Sequence, residues 1–346
     1  MVGTKNKLLG VDTIALEDWL SLTIEEPIDP YLPICDPHHH LWDGPGDRGK
    51  YLLDEFFHDV GGGHNLKKTI FVECGASYRE NGPEEMKPVG ETEFARDQAE
   101  KCADTCQGKT SVAEGIVAFA DLCIGEDINR VLEAHMQAAD NRLKGIRQIC
   151  AWDPDPNIVS MGNNKGMMLE TGFREGFACL SRYGLVFDAW QYFAQLSELG
   201  DLAKASPDTT IVVNHTGGPL GIGVYRGKQK AIFEEWMRNI SDLAECPNIH
   251  MKLGGLGMPR CGFGWHERSK PPGSKELADK MAPYYEFCLE KFGIERCMFE
   301  SNFPIDKVSY SYTVLWNMFK RITRDFSPQE RSALFYDNAV KVYRLS

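Results

Sequence analysis

The sequence predicts an α/β protein: a closed (β/α)8 TIM barrel with an N-terminal extension. Three observations carry that prediction. Eight short, β-rich apolar runs recur along the chain. Nearly every gap between them holds a segment whose apolar residues recur at three and four positions, the amphipathic-helix spacing. No GxGxxG turn follows the first run, as an open, doubly wound sheet would require; "GGGH" (61–64) and "GGPLGIG" (217–223) do not fit that pattern. Alternating strands and helices imply a parallel sheet. Eight such units over about 270 residues suit a barrel, which typically takes about 250.

Residues 1–33 read as an N-terminal arm ending in the proline-rich "EEPIDPYLP", and residues 34–346 as one barrel domain. The candidate strands are "ICDPHHH" (34–40), "TIFVECG" (69–75), "VAEGIVAFADL" (112–122) and "KGIRQICAW" (144–152), then "GLVFDAW" (184–190), "TIVVNHTGG" (210–218), "IHMKLGGLG" (249–257) and "RCMFESNFP" (296–304). Helical spacing is clear at 91–106, 126–143 and 228–246. Long loops containing glycine and proline cover 42–66, 154–170 and 257–276. Each follows a candidate strand, so in a barrel each lies at the C-terminal face, where active sites form.

Composition narrows the function. Against 38 lysines and arginines stand 50 acidic residues, a net charge of −12 in a chain of 346. Nucleic-acid binders usually carry a basic footprint, so that class is disfavoured. An anionic substrate is not, because a few arginines set the field inside a pocket. The N-terminus lacks a signal-peptide pattern, and no apolar run approaches a membrane span. The eleven cysteines are scattered rather than grouped as CxxC, which points to reduced thiols and a cytoplasmic protein. Cys102 and Cys106, four apart on a predicted helix, are weak evidence for zinc. The expected partner is a small molecule, with no nucleic acid and no membrane; a homo-oligomer is left open.

A strand alternates its side chains with period two. In "CDPHHHLW", Asp36, His38 and His40 therefore share one face, and Pro37, His39 and Leu41 the other. At the end of a first barrel strand, His38 and His40 converge on the axis; the competing reading is a hydrogen-bonded core pair. His215 ends the sixth candidate strand, and Gly217 and Gly218 after it allow close approach of a ligand. The same period pairs Glu300 with Asn302 at the eighth. Glu300 is either a functional carboxylate with a shifted pKa or an ion-pair partner of Arg147 or Lys252. Arg147 is either a clamp for a substrate anion, through its planar fork, or half of a structural ion pair. Lys252 and Glu73 are weaker members of the same class. Trp42, Tyr78, Trp152 and Trp190 are candidate walls of an aromatic pocket, against ordinary packing.

Taken in order, "ICDPHHHLWD", "GIRQICAWDP", "VVNHTGGPLG" and "CMFESNFP" resemble the amidohydrolase-related proteins of the second amidohydrolase type. The chain is most similar to the branch with 2-pyrone-4,6-dicarboxylate hydrolase and the sugar-lactone lactonases, over roughly residues 33–346 including the closing "DNAVKVYRLS". The resemblance implies a (β/α)8 barrel that adds water to a small substrate, commonly a lactone. The family's HxH pair falls on His38 and His40, and its strand-six histidine on His215. Some relatives act without a metal; others bind one divalent ion, often zinc, through the histidines and a strand-eight aspartate. That aspartate is Asn302 here, a neutral residue that is no general base and a poorer ligand. Glu300 is then the first alternative base, with His215 and Asp306 after it.

The leading expectation is a hydrolase that opens a lactone or related cyclic ester carrying a carboxylate. His38, His40 and His215 would polarise the carbonyl or hold a metal, Glu300 with Asn302 would handle water, and Arg147 would bind the carboxylate, beside Trp42, Tyr78, Trp152 and Lys252. No cofactor is required on this reading, though a single zinc-like metal on His38, His40 and His215 stays open. The alternatives are a zinc-dependent non-oxidative decarboxylase of an aromatic or muconate-type acid, amide or C–C hydrolysis at the same site, and a barrel that binds a ligand without turning it over.

Overall fold

The computed structural model describes residues 7–44, 48–105, 109–162 and 164–346. Eight parallel strands build its main sheet: β1 (Pro33–His39), β2 (Asn65–Val72), β3 (Ser111–Ala118), β4 (Leu143–Ile149), β5 (Val186–Trp190), β6 (Ile211–Val213), β7 (Ile249–Leu253) and β8 (Cys297–Phe299). Each pairs with the next in chain order. The two edges meet at the C-terminal end, where the His40 N–H donates to the Phe303 carbonyl (2.8 Å) and the Asn302 N–H to the His38 carbonyl (2.9 Å). The result is the (β/α)8 barrel the strand–helix alternation predicts.

Helix α1 (Thr13–Leu20) belongs to the N-terminal segment. A helix then follows every strand: α2 (Leu53–Val60), α3 (Val89–Thr105), α4 (Ile128–Ala139), α5 (Thr171–Cys179), α6 (Leu196–Ala205), α7 (Gln229–Ala244), α8 (Ser274–Phe292) and α9 (Tyr312–Ile322). Their inward faces follow from the sequence period. In α4 the buried residues are Ile128, Val131, Leu132, His135, Ala138 and Ala139, one stripe of a 3.6-residue helix. In α7 they are Ile232, Trp236, Ile240 and Leu243. The N-terminal segment lies over α8 and α9: Glu25 accepts from the Ser274 N–H (2.7 Å) and the Asn317 amide (2.9 Å), and Trp19 donates to the Arg268 carbonyl.

The barrel interior changes character along its axis. Its lower part is apolar, with Cys35, Ile70, Val72, Val117, Val186, Val212 and Met298 in one buried cluster, closed below by Tyr343 and Leu345. Above it, buried polar side chains take over: His38, Arg147, Asp188, Lys252 and Glu300. Period two links the layers, since Met298 and Glu300 are two apart on the same face.

Two expectations from that period need correction. Asp36 does not share a face with His38. The β1–β2 register shifts between Asp36 and His39, and Asp36 turns outward to the Tyr312 hydroxyl of α9 (3.1 Å). Likewise, β6 and β8 are only three residues long. His215 (φ +54°), Thr216 (+55°) and Asn302 (+56°) lie beyond them in the left-handed region, so the pairing of Asn302 with Glu300 on one face fails. The Cys102–Cys106 pair falls partly outside the described residues, at Cys106. No helix among the described residues is long and apolar enough to cross a membrane.

Candidate active site

Glu300 leaves the end of β8 and its carboxylate lies between two imidazoles. Oε1 accepts from the His215 Nδ1–H and from the His215 backbone N–H, both at 2.8 Å. Oε2 is 2.8 Å from His38 Nδ1. That second contact is close but misaligned, and neither atom makes a hydrogen bond. His38 and Glu300 are fully buried and His215 is 2% exposed. The rings of His38 and His215 lie 4.6 Å apart, and those of His38 and His40 5.0 Å.

The chain makes room for this cluster at the end of β7. A Cβ on Gly254 would meet Glu300 Cγ at 2.4 Å, and one on Gly255 would meet the His215 ring at 2.5 Å. Only a residue without a side chain lets both groups approach. Their signal in the sequence was "KLGGLG", which carries no chemistry and is easily passed over.

Burial sets the protonation states. Desolvation penalises charge, so His38, His40 and His215 are all held well below the usual imidazole range and stay neutral. Glu300 is pushed up to about 8 by burial, against the opposing pull of Lys252 and the His215 N–H. Asp306 is pushed up to about 7 by burial, although the Tyr310 hydroxyl, the Asn302 amide and the Gly257 N–H all donate to it.

The remaining candidates divide. His40 is beside His38, but its Nδ1–H is spent on the Val72 carbonyl (2.8 Å). Its other nitrogen is then an acceptor, which does not polarise a carbonyl. His39 faces the outer layer, bonded to Thr69 and packed on Phe56. Arg147 resolves as an ion pair: its Nε donates to Glu73 Oε1 (2.7 Å), a second nitrogen bonds the Glu73 carbonyl, and Nη1 reaches His38 Nε2 (3.3 Å). It is 3% exposed, and its two-pronged Nε/Nη2 edge is taken by Glu73. Lys252 is fully buried, bonded to Asp188 (2.5 Å), which corrects its assignment to substrate. Asp188, missed in the sequence, is also tied to Tyr343 (2.6 Å) and Asn214. Its signal was an acid inside the apolar run "GLVFDAW". Trp42 is wholly buried, 6.4 Å from the His40 ring. Tyr78 is 38% exposed and Trp152 half-buried. Among the described residues, no hydrogen bond, ion pair or ring contact joins either to the Glu300 cluster.

His38, His215 and Glu300 also fit a single divalent ion. Their ligand atoms lie within 4.8 Å of one another, and the unpartnered His38 Nδ1 and Glu300 Oε2 are the kind of donors an ion satisfies. Two imidazoles and a carboxylate with a position left open form a known zinc set. His40, expected among the ligands, is outside it; Glu300 takes its place.

A family model described as amidohydrolase matches residues 35–345. The chain belongs to the amidohydrolase family. This amidohydrolase is 33% identical to the uncharacterised Sinorhizobium fredii protein y4mH over 91% of its own length and 99% of that protein. It is 24% identical to an L-fucono-1,5-lactonase of Burkholderia ambifaria, covering 78% and 87% of the two chains. Identity to an L-rhamnono-gamma-lactonase of Scheffersomyces stipitis is 23%, over 90% and 98%. Among solved structures, a Burkholderia multivorans amidohydrolase with bound zinc superposes with a TM-score of 0.66 at 21% identity, covering 90% of this chain and 99% of that one.

Proposed function

We propose that this amidohydrolase opens a lactone ring by adding water, with Glu300 as the general base. The observation that carries this reading is the buried Glu300 carboxylate held between His38 and His215. Oε1 is saturated by two donors, whereas Oε2 has no aligned partner. Oε2 is therefore the atom that accepts a proton from water as its oxygen attacks the lactone carbonyl. The oxyanion forms in the field of Arg147, whose guanidinium faces His38. As the ring C–O bond breaks, the proton passes from Glu300 to the departing alkoxide, giving a hydroxy acid. His215 holds the carboxylate in place through its two hydrogen bonds, His38 lies beside the free oxygen, and Asn302 orients rather than deprotonates. The lactonase names of two relatives point to the same reaction.

No metal is required in this scheme. If a divalent ion binds, His38, His215 and Glu300 would hold it, and it would polarise the carbonyl and acidify water. Arg147 beside His38 Nε2 and Lys252 beneath the cluster oppose a second cation. The described cysteines other than Cys102 form no disulfide, which suits the reducing cytoplasm, where we place the reaction.

The test is a panel of sugar and dicarboxylate-type lactones with purified protein. Glu300→Gln should lower kcat/KM by about 10²–10⁴-fold, the usual contribution of general base catalysis. The double variant His38→Ala/His215→Ala should be inactive. In the wild type, kcat/KM should rise with pH through about 8 as Glu300 ionises, and should survive dialysis against a chelator. Full activity in Glu300→Gln would remove the base assignment, and loss on chelation restored by zinc would move the reaction to the metal.

A further inference from the structure

With Arg147 and Lys252 committed to Glu73 and Asp188, the site needs another cation if it is to read a charged substrate. Arg260 is the candidate for that role. It lies on the loop after β7, half-buried, with its carbonyl pinned by the Gly221 N–H (2.9 Å). Nη1 donates to the Tyr192 hydroxyl (3.0 Å), and the guanidinium carbon is 5.8 Å from the centre of the Trp190 ring. Trp190 in turn packs edge-on against His215, ring centres 4.7 Å apart. The guanidinium is thus one aromatic ring from the Glu300 cluster, and its charge contributes to keeping His215 neutral.

Two features separate Arg260 from the other cations near the site. Arg147 has Glu73, Lys252 has Asp188, and Lys307 has Asp59 and Glu17. Among the described residues, no carboxylate lies within ion-pair distance of Arg260. Its Nε and Nη2 also carry no hydrogen bond there, and this edge is the two-pronged face that matches a carboxylate. The backbone bond and the Tyr192 contact fix the fork before a ligand arrives, which lowers the ordering cost of binding.

We propose that Arg260 is the specificity residue of the site and selects lactones that bear a carboxylate on the ring. The proposal rests on the lactone-hydrolase reading for its substrate class, and its test separates the two. The probes are γ-butyrolactone bearing a carboxylate on the carbon beside the ring oxygen, and the matching carboxamide. Wild type should show the lower KM for the carboxylate. Arg260→Gln should raise that KM by about ten-fold or more, the loss of one charge-assisted fork, and leave the carboxamide within about two-fold. Arg260→Lys, which keeps the charge and loses the fork, should fall between. Equal effects on both probes, or no effect on either, would overturn the proposal. If neither probe is hydrolysed by wild type, the lactone reading is at fault. Isothermal titration with the carboxylate probe then decides Arg260: weaker binding to Arg260→Gln than to wild type supports it, and equal or absent binding to wild type overturns it.

Discussion

Asn302 replaces the strand-eight aspartate expected from the family resemblance, and its neighbour explains why. Its amide nitrogen donates to Asp306 Oδ1 at 2.7 Å. Asp306 is fully buried, and its other oxygen is occupied by Tyr310 and Gly257. A carboxylate at position 302 would face a second carboxylate at hydrogen-bond distance, and two such groups cannot both ionise cheaply. Asn302→Asp should therefore hold an extra shared proton near neutrality. Stability should fall by roughly 1–3 kcal/mol between pH 6 and pH 8, one to three pKa units of coupling, beyond any loss in wild type. The exchange Asn302→Asp/Asp306→Asn should recover most of it. Thermal melting at the two pH values reads the effect, and an Asn302→Asp protein as stable as wild type at pH 8 would rule out the coupling.

At the scale of elements, the strand ends hold the site, and they are where sequence periodicity stops working. Period two correctly placed His39 toward the outer layer, where it bonds Thr69 and packs on Phe56. It misplaced Asp36, since a register shift intervenes, and Asn302, since a left-handed residue does. Neither irregularity has a side-chain signature. The helices after β2, β3 and β6 were legible, because burial against the barrel imposes a stripe that composition displays directly; α1 and α2, only eight residues each, were not, and fell in segments read as an arm and a loop. Arg147, Lys252 and Arg260 could not be sorted from sequence: each is a cation near a strand end, and only geometry shows which already has a carboxylate. The glycines after β7 give the element-scale prediction. Gly255→Ala adds a Cβ 2.5 Å from the His215 ring at φ +70°. The protein should lose about 1–3 kcal/mol by overpacking. Its kcat/KM should drop by about 10²-fold, the cost of a small displacement of a catalytic group. A variant with wild-type kcat/KM would show that His215 tolerates the shift and that its position is not critical.

The whole molecule buries an unusual set of ionisable groups, and together they set its stability profile. Seven histidines among the described residues have folded pKa values below the ordinary 6.5: His38, His39, His40, His64, His135, His215 and His250, each chiefly through burial. Each binds fewer protons folded than unfolded, so each takes stability away as pH falls below about 6.5. Six carboxyls are displaced the other way, again chiefly by burial: Asp36 to about 6, Glu91 and Asp306 to about 7, Glu300 to about 8, with Asp59 and Glu198 raised in the same sense. Each holds a proton in the folded state that the unfolded chain has released, so each takes stability away as pH rises from the ordinary carboxylate range to its own folded value. Between about pH 4.5 and 6.5 the two sets oppose, and the seven histidines outweigh the six carboxyls; above about 6.5 the histidine contribution fades and the carboxyls dominate. Stability should therefore peak near pH 6.5, falling on the acid side and more gently up to about pH 8. A series of thermal melts from pH 4 to 9 measures it. In Glu300→Gln, which has no carboxyl to ionise, the decline between pH 6.5 and 8 should be shallower than in wild type. A profile that keeps rising to pH 8, or an unchanged decline in that variant, would mean that the Glu300 carboxyl is not held protonated by the fold, and the alkaline limb expected for the reaction would lose its physical basis.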